Sequence, residues 1–184
     1  MTPDETPELT STSSALSVRV ASLRARRPTR FSLTPDAAAR AALAAELGAS
    51  ALRKLRFTGT ILPEGRTDWR IEAELGATVV QPCVISLHPV TTRIDTPLVR
   101  RLVTQMPAFD ADQEMADETL EPLGAVIDLG AMMVEALALE MPDYPRADGS
   151  GGDEIAPPRD EDDAMTDAPR KPFAALADLL NKKP

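Results

Sequence analysis

Hydrophobic and polar positions alternate with period two along three stretches of this chain. Over 15–21, Leu16, Val18 and Val20 lie on one side, with Ser17 and Arg19 on the other. Over 51–62, Leu55, Phe57, Gly59 and Ile61 oppose Lys54, Arg56, Thr58 and Thr60. Over 67–81, Trp69, Ile71, Ala73, Leu75, Ala77 and Val79 share a face, and Asp68, Arg70, Glu72, Glu74 and Thr78 share the other. Successive strand side chains point to opposite faces, so each stretch predicts a strand with one buried side. Pro63-Glu64-Gly65-Arg66 predicts a turn between the last two, hence an antiparallel hairpin. Residues 84–103 predict one or two further strands, broken at Pro89 and Pro97.

The period becomes helical in two places. Thr34-Pro35-Asp36 precedes AAARAALAAELG, which predicts a helix over 35–47. Thr34 can accept from the free first-turn amides, Pro35 fits the first helical position, Asp36 suits the dipole, and Gly48 stops the helix. Later, Leu129, Met132, Met133, Ala136 and Leu137 recur at helical spacing behind a capping Asp128, and Pro142 ends the run. A long acidic loop, 107–122, separates this helix from the strands. Strand, helix, strands, helix predicts an α+β fold: an antiparallel sheet or small open barrel with two packed helices.

The flanks change character. Residues 1–14 are polar with two prolines and read as a disordered tail, leaving an α+β domain at 15–142. Residues 143–170 are rich in Pro, Gly and acid, with too little apolar surface to offset the entropy of ordering, and read as an acidic disordered linker. Residues 171–184 form a C-terminal amphipathic motif with Phe173, Leu176 and Leu180 on one stripe. So short a helix is not stable alone in water. The stripe must therefore dock, either on its own domain or in a partner's groove.

Composition narrows the chemistry. One Cys and one His exclude a disulfide scaffold and a Cys/His metal cage, so no metal or cofactor is expected. No apolar run approaches the roughly 18 residues of a membrane span. The N-terminus lacks the basic and apolar regions of a signal peptide, which with the lone Cys reads as cytoplasmic. A phosphate loop, a dinucleotide fingerprint, HExxH and a calcium-loop ladder are all missing. His88, beside Pro89, has no placed nucleophile or acid and reads as a loop histidine. Cys83 sits in an apolar setting and reads as a small hydrophobe rather than an activated thiolate. These features argue against an enzyme and against a small-molecule substrate.

A net charge of −9 conceals a segregation: residues 1–60 carry +4, while 106–170 carry −15. The candidate binding residues are Arg19, Arg24, Arg26, Arg27, Arg30, Arg53, Lys54 and Arg56. If the strand at 51–62 lies beside that at 15–21, they share one basic surface. Arginine suits phosphate through its planar fork of donors. Aromatics are only 3%, so any RNA contact is led by the backbone and sensitive to salt. An acidic protein partner, or a solvated face covered by the chain's own acidic linker, explains the same charges.

The run LRFTGTILPEGRTDWRIEAELGATVVQPCVISLHPVTTRIDTPLVRRLV resembles the bacterial YceD-type family, the large ribosomal RNA subunit accumulation proteins. The acidic loop, then VIDLGAMMVEALALEMPDYPR, then KPFAALADLL continue the likeness in order, over roughly 15–146 and the terminus. The form with Gln81-Pro82-Cys83-Val84 resembles the alphaproteobacterial branch. The resemblance implies a cytoplasmic non-enzyme supporting synthesis, processing or stability of 23S ribosomal RNA. Its partner would be ribosomal RNA or a large-subunit protein, with no membrane role. The alternative is a protein adaptor that docks through its C-terminal helix without touching RNA. Other members carry further cysteines near the position of Cys83, able to bind zinc; here Ser86 and Leu87 follow and no second Cys exists, so that role does not transfer.

Overall fold

The computed structural model describes residues 7–106 and 119–149. Its elements run β1 (Glu8–Ser11), β2 (Ser17–Arg19), β3 (Thr29–Leu33), α1 (Ala37–Glu46), β4 (Ala51–Glu64), β5 (Asp68–Pro82), β6 (Pro89–Val103), β7 (Leu120–Pro122), β8 (Val126–Asp128) and α2 (Leu129–Glu140). Six strands form one open sheet in the order β1-β3-β4-β5-β6-β7, and β2 pairs with β8 in a separate ribbon. The sheet is antiparallel through its centre and parallel at both edges. The architecture is α+β, as the alternation predicts, and the sheet does not close into a barrel.

One face of the sheet carries the core. Trp69, Ile71, Ala73, Leu75, Ala77 and Val79 of β5 are all buried, with Phe57 and Ile61 of β4 and Ile94, Leu98 and Leu102 of β6. Each large side chain removed from water contributes roughly 1.5–3 kcal/mol, an upper bound for a chain already partly collapsed when unfolded. Phe31 and Phe57 meet with ring centres 5.4 Å apart. Leu43 and Ala44 of α1 and Leu129, Met132, Met133, Ala136 and Leu137 of α2 join the same core. Asp128 caps α2 through the Ala131 amide at 3.0 Å, and the chain leaves the helix before Pro142. A Cβ on Gly130 would meet the Ser14 carbonyl at 2.4 Å, so the N-terminal segment crosses the helix start where only glycine fits.

Several details differ from the pattern reading. Asp36, not Thr34, caps α1: its carboxylate accepts from the Ala39 amide at 2.8 Å, and the Thr34 amide donates to Ser11. Residues 8–11, within the stretch read as a tail, form edge strand β1, with Leu9 packed against the core. β6 runs unbroken through Pro97. Its outer partner β7 pairs only with Arg101–Val103, so at Pro97 the missing amide can face an unpaired edge. Residues 120–122, the end of the predicted acidic loop, supply β7. The start of the predicted linker is docked: Pro145 is buried, and its carbonyl accepts from the Val84 amide at 3.0 Å. The rest of the predicted linker, the remainder of the loop and the motif with Phe173, Leu176 and Leu180 lie outside the described residues.

The largest departure is a β-bulge. Arg53 pairs with Thr78 and Arg56 with Gly76, so three steps on β4 match two on β5. Lys54 takes up the extra residue with φ 51°, a conformation costing a side-chain-bearing residue about 1 kcal/mol. Strict alternation would set Arg53 on the core side with Leu55 and Phe57. The bulge instead buries both Leu52 and Leu55 and leaves Arg53, Lys54 and Arg56 exposed.

Candidate nucleic-acid interface

The eight basic candidates do not form one surface. β2 pairs with β8, not with β4, so the condition for joining them is not met. Arg19 stands opposite Val126 in the two-stranded ribbon. Arg24, Arg26 and Arg27 are exposed in the loop before β3. Arg30 pairs with Thr60, four residues beyond Arg56 on β4, or roughly 13 Å along the strand. Arg53, Lys54 and Arg56 gather at the opposite end of β4.

There the exposed face of the sheet forms two adjacent cross-strand rows. One reads Arg53, Thr78, Arg93; the next reads Arg56, Gly76, Asp95. The Arg93 guanidinium grips Asp95 with two donors, one at 2.7 Å, and its third nitrogen lies 3.4 Å from the Thr78 hydroxyl. Arg56 approaches the same carboxylate at 3.9 Å. The Arg93 hydrogen bonds hold the Asp95 carboxyl below its ordinary value of 3.8, with smaller help from the charges of Arg93 and Arg56. Arg53 and Lys54 have no ion-pair partner among the described residues. A Cβ on Gly76 would sit 2.8 Å from Arg56 Nε and 3.0 Å from an Arg93 terminal nitrogen, so both guanidinium groups lie close over bare backbone. Beside them opens a hollow of about 280 Å³ lined by Arg56, Glu74, Asp95 and Pro97.

Arg93 escapes sequence reading because it looks like any exposed strand residue. Gly76 is the signal that could have found it: a lone glycine inside a strand marks a bulge or a close approach.

The β5–β6 turn lies at this same end. His88 is exposed and Cys83 is fully buried. The Cys83 sulfur accepts from the Ser86 amide at 3.5 Å and the Ala147 amide at 3.4 Å. Its environment is that of a structural thiol. Val84, Ile85, Leu87 and Tyr144 leave apolar surface exposed around it. No group of three or more metal-ligating side chains occurs among the described residues, and no described helix is long and apolar enough to cross a membrane.

Residues 71–180 match the family model described as "Large ribosomal RNA subunit accumulation protein YceD", more than half of the chain. The match takes in Cys83, Arg93 and α2 and begins after the eight basic candidates. No curated protein and no solved structure matches.

Proposed function

The chain belongs to the family of large ribosomal RNA subunit accumulation proteins, YceD, and on that premise we propose that it is a cytoplasmic, non-enzymatic ribosome-biogenesis factor. It supports synthesis, processing or stability of 23S ribosomal RNA by binding that RNA or a large-subunit protein. The observation that carries the RNA arm is the cation excess at the bulge end of the sheet, where Arg56 and Arg93 share the single carboxylate of Asp95 and Arg53 and Lys54 have no ion-pair partner among the described residues. Unpaired arginines on an exposed sheet suit phosphate, and their field attracts a polyanion from a distance. Such a role calls for no cofactor, membrane or small-molecule substrate.

One observation favours a protein adaptor as the second reading. The family match extends to residue 180 and so includes Phe173, Leu176 and Leu180, while it omits 53–56. Gradient sedimentation of lysate holding the tagged chain, at low and raised salt, separates the two. Salt-sensitive co-migration with 23S precursor supports the RNA arm. Co-migration insensitive to salt and lost on deleting 172–180 supports the adaptor. Free migration, with normal 23S levels in a deletion strain, overturns both.

A further inference from the structure

We propose that Arg53, Lys54 and Arg56 form a binding site for the phosphodiester backbone of RNA, presented by the β4 bulge and kept open by the Arg93–Asp95 pair. The inference rests on the RNA arm of the function above and names the site and the chemistry it reads.

The site originates in the backbone of β4. A regular β4 would turn Arg53 toward the core. The bulge, with Lys54 at φ 51°, places three cations on the exposed side within four residues. Bulges commonly re-aim side chains in this way. The two cross-strand rows stand roughly 6.6 Å apart, two residues along a strand. An extended polyanion crossing them meets Arg53 on one and Arg56 on the next, with Lys54 between.

The nearby carboxylate is engaged by another residue. Asp95 is 3.9 Å from Arg56 and would neutralise it if left alone. Arg93 holds Asp95 through two hydrogen bonds and is itself steadied by Thr78, so Arg56 retains donors for a ligand. Arg93 is thus a positioning residue. Gly76 lets both guanidinium groups settle over the sheet, and Glu74 in the neighbouring hollow marks the acidic boundary of the site. The net excess over Arg53, Lys54, Arg56, Arg93 and Asp95 is three positive charges. Few aromatics stand by to read bases, so the site takes the backbone rather than a sequence.

The test is fluorescence anisotropy of a labelled oligouridylate with the full chain, titrated over a range of salt. Replacing Arg53, Lys54 and Arg56 together with Ala should weaken binding at least tenfold and lower the slope of log affinity against log salt by about two. Arg93→Ala should weaken binding about threefold as Asp95 captures Arg56, and adding Asp95→Ala should restore it; failure of that rescue overturns the positioning role. Gly76→Ala keeps every charge and presses only on flexible side-chain atoms. It should keep the salt slope and reduce affinity, with unchanged circular dichroism showing that the fold is intact. An unchanged slope in the triple variant overturns the site. So does an equal loss from Arg24→Ala with Arg26→Ala, or displacement of the RNA by polyglutamate at equal charge, which would point to an acidic protein instead. If the triple variant loses RNA but cells keep normal 23S levels, the site stands and the biogenesis reading fails. If RNA binding survives while 23S falls in cells carrying it, the reverse holds.

Discussion

At one end of the long β4–β6 strands, Arg101 sits on Glu64 at 3.0 Å and Arg70 on Glu72 at 2.7 Å. Nearby, Arg100 lies between Glu121 and Glu135 at 2.8 and 3.0 Å. Asp68 accepts the Thr104 amide at 2.9 Å and so ties the β4–β5 turn to the end of β6. At the other end, Arg53 and Lys54 form no ion pair among the described residues, and Arg56 has only a loose share of one carboxylate. The two ends lie roughly 35 Å apart along β4. Arg70 and Arg101 stand on the polar face of the sheet as Arg53 and Arg56 do, while Arg100 is largely covered and reaches α2; the first end is paired into the fold and the second is left available. Paired groups belong to stability, modestly where they are exposed, and unpaired ones to recognition.

That division can be attacked at either end. The largest expected effect belongs to Arg100→Ala. Its side chain is only 18% exposed, and its loss leaves Glu121 and Glu135 without their common partner. Urea unfolding should show a loss of about 1–2 kcal/mol, with oligouridylate affinity held within twofold. A matching fall in RNA affinity would break the division. Lys54→Gly is smaller and opposite in sign. Relief of the positive φ should raise stability by about 0.5–1 kcal/mol, while the lost charge weakens RNA binding. A variant that is both more stable and tighter-binding would count against the bulge as a device for recognition.

The smallest effect is one of pH. The backbone hydrogen bond from Thr104, followed by its hydroxyl, holds the Asp68 carboxyl below its ordinary value of 3.8. A depressed folded-state value gives stability that is present above 3.8 and is lost as pH falls through the lowered value. In Asp68→Asn, the drop in urea midpoint between pH 6 and pH 3 should therefore be smaller than in the parent. An unchanged drop would show that the Thr104 contact contributes nothing to the turn end.

Much of this fold is legible in the sequence where a single rule governs a long segment. β5 alternates from Trp69 to Val79 with Gly76 as the one exception on its polar side, and α2 pairs a capping Asp128 with a clean apolar stripe. Legibility fails where tertiary pairing decides. Arg-Lys-Leu-Arg at 53–56 satisfies alternation well enough to hide the bulge, which appears only once β5 supplies a register. Pro97 looks like a break until the shortness of β7 makes that part of β6 an edge. Four residues of β1 and three of β7 are too few to show a period. The candidate site follows the same logic. Arg53, Lys54 and Arg56 are visible as charge, but their separation from Arg24, Arg26 and Arg27, and the part taken by Arg93, depend on which strands become neighbours.

The hydrogen bond from the Ala147 amide to the Cys83 sulfur spans 64 positions of sequence. By contrast, β4, β5 and β6 pair with their neighbours in chain order and need only short closures. During vectorial synthesis this meander can assemble as soon as it emerges, while Cys83 waits for translation to pass Ala147. The Ser86 amide can reach the sulfur as soon as its own turn has formed, so the two contacts to one atom belong to different moments of synthesis, and the later of them dates the arrival of the segment at Ala147.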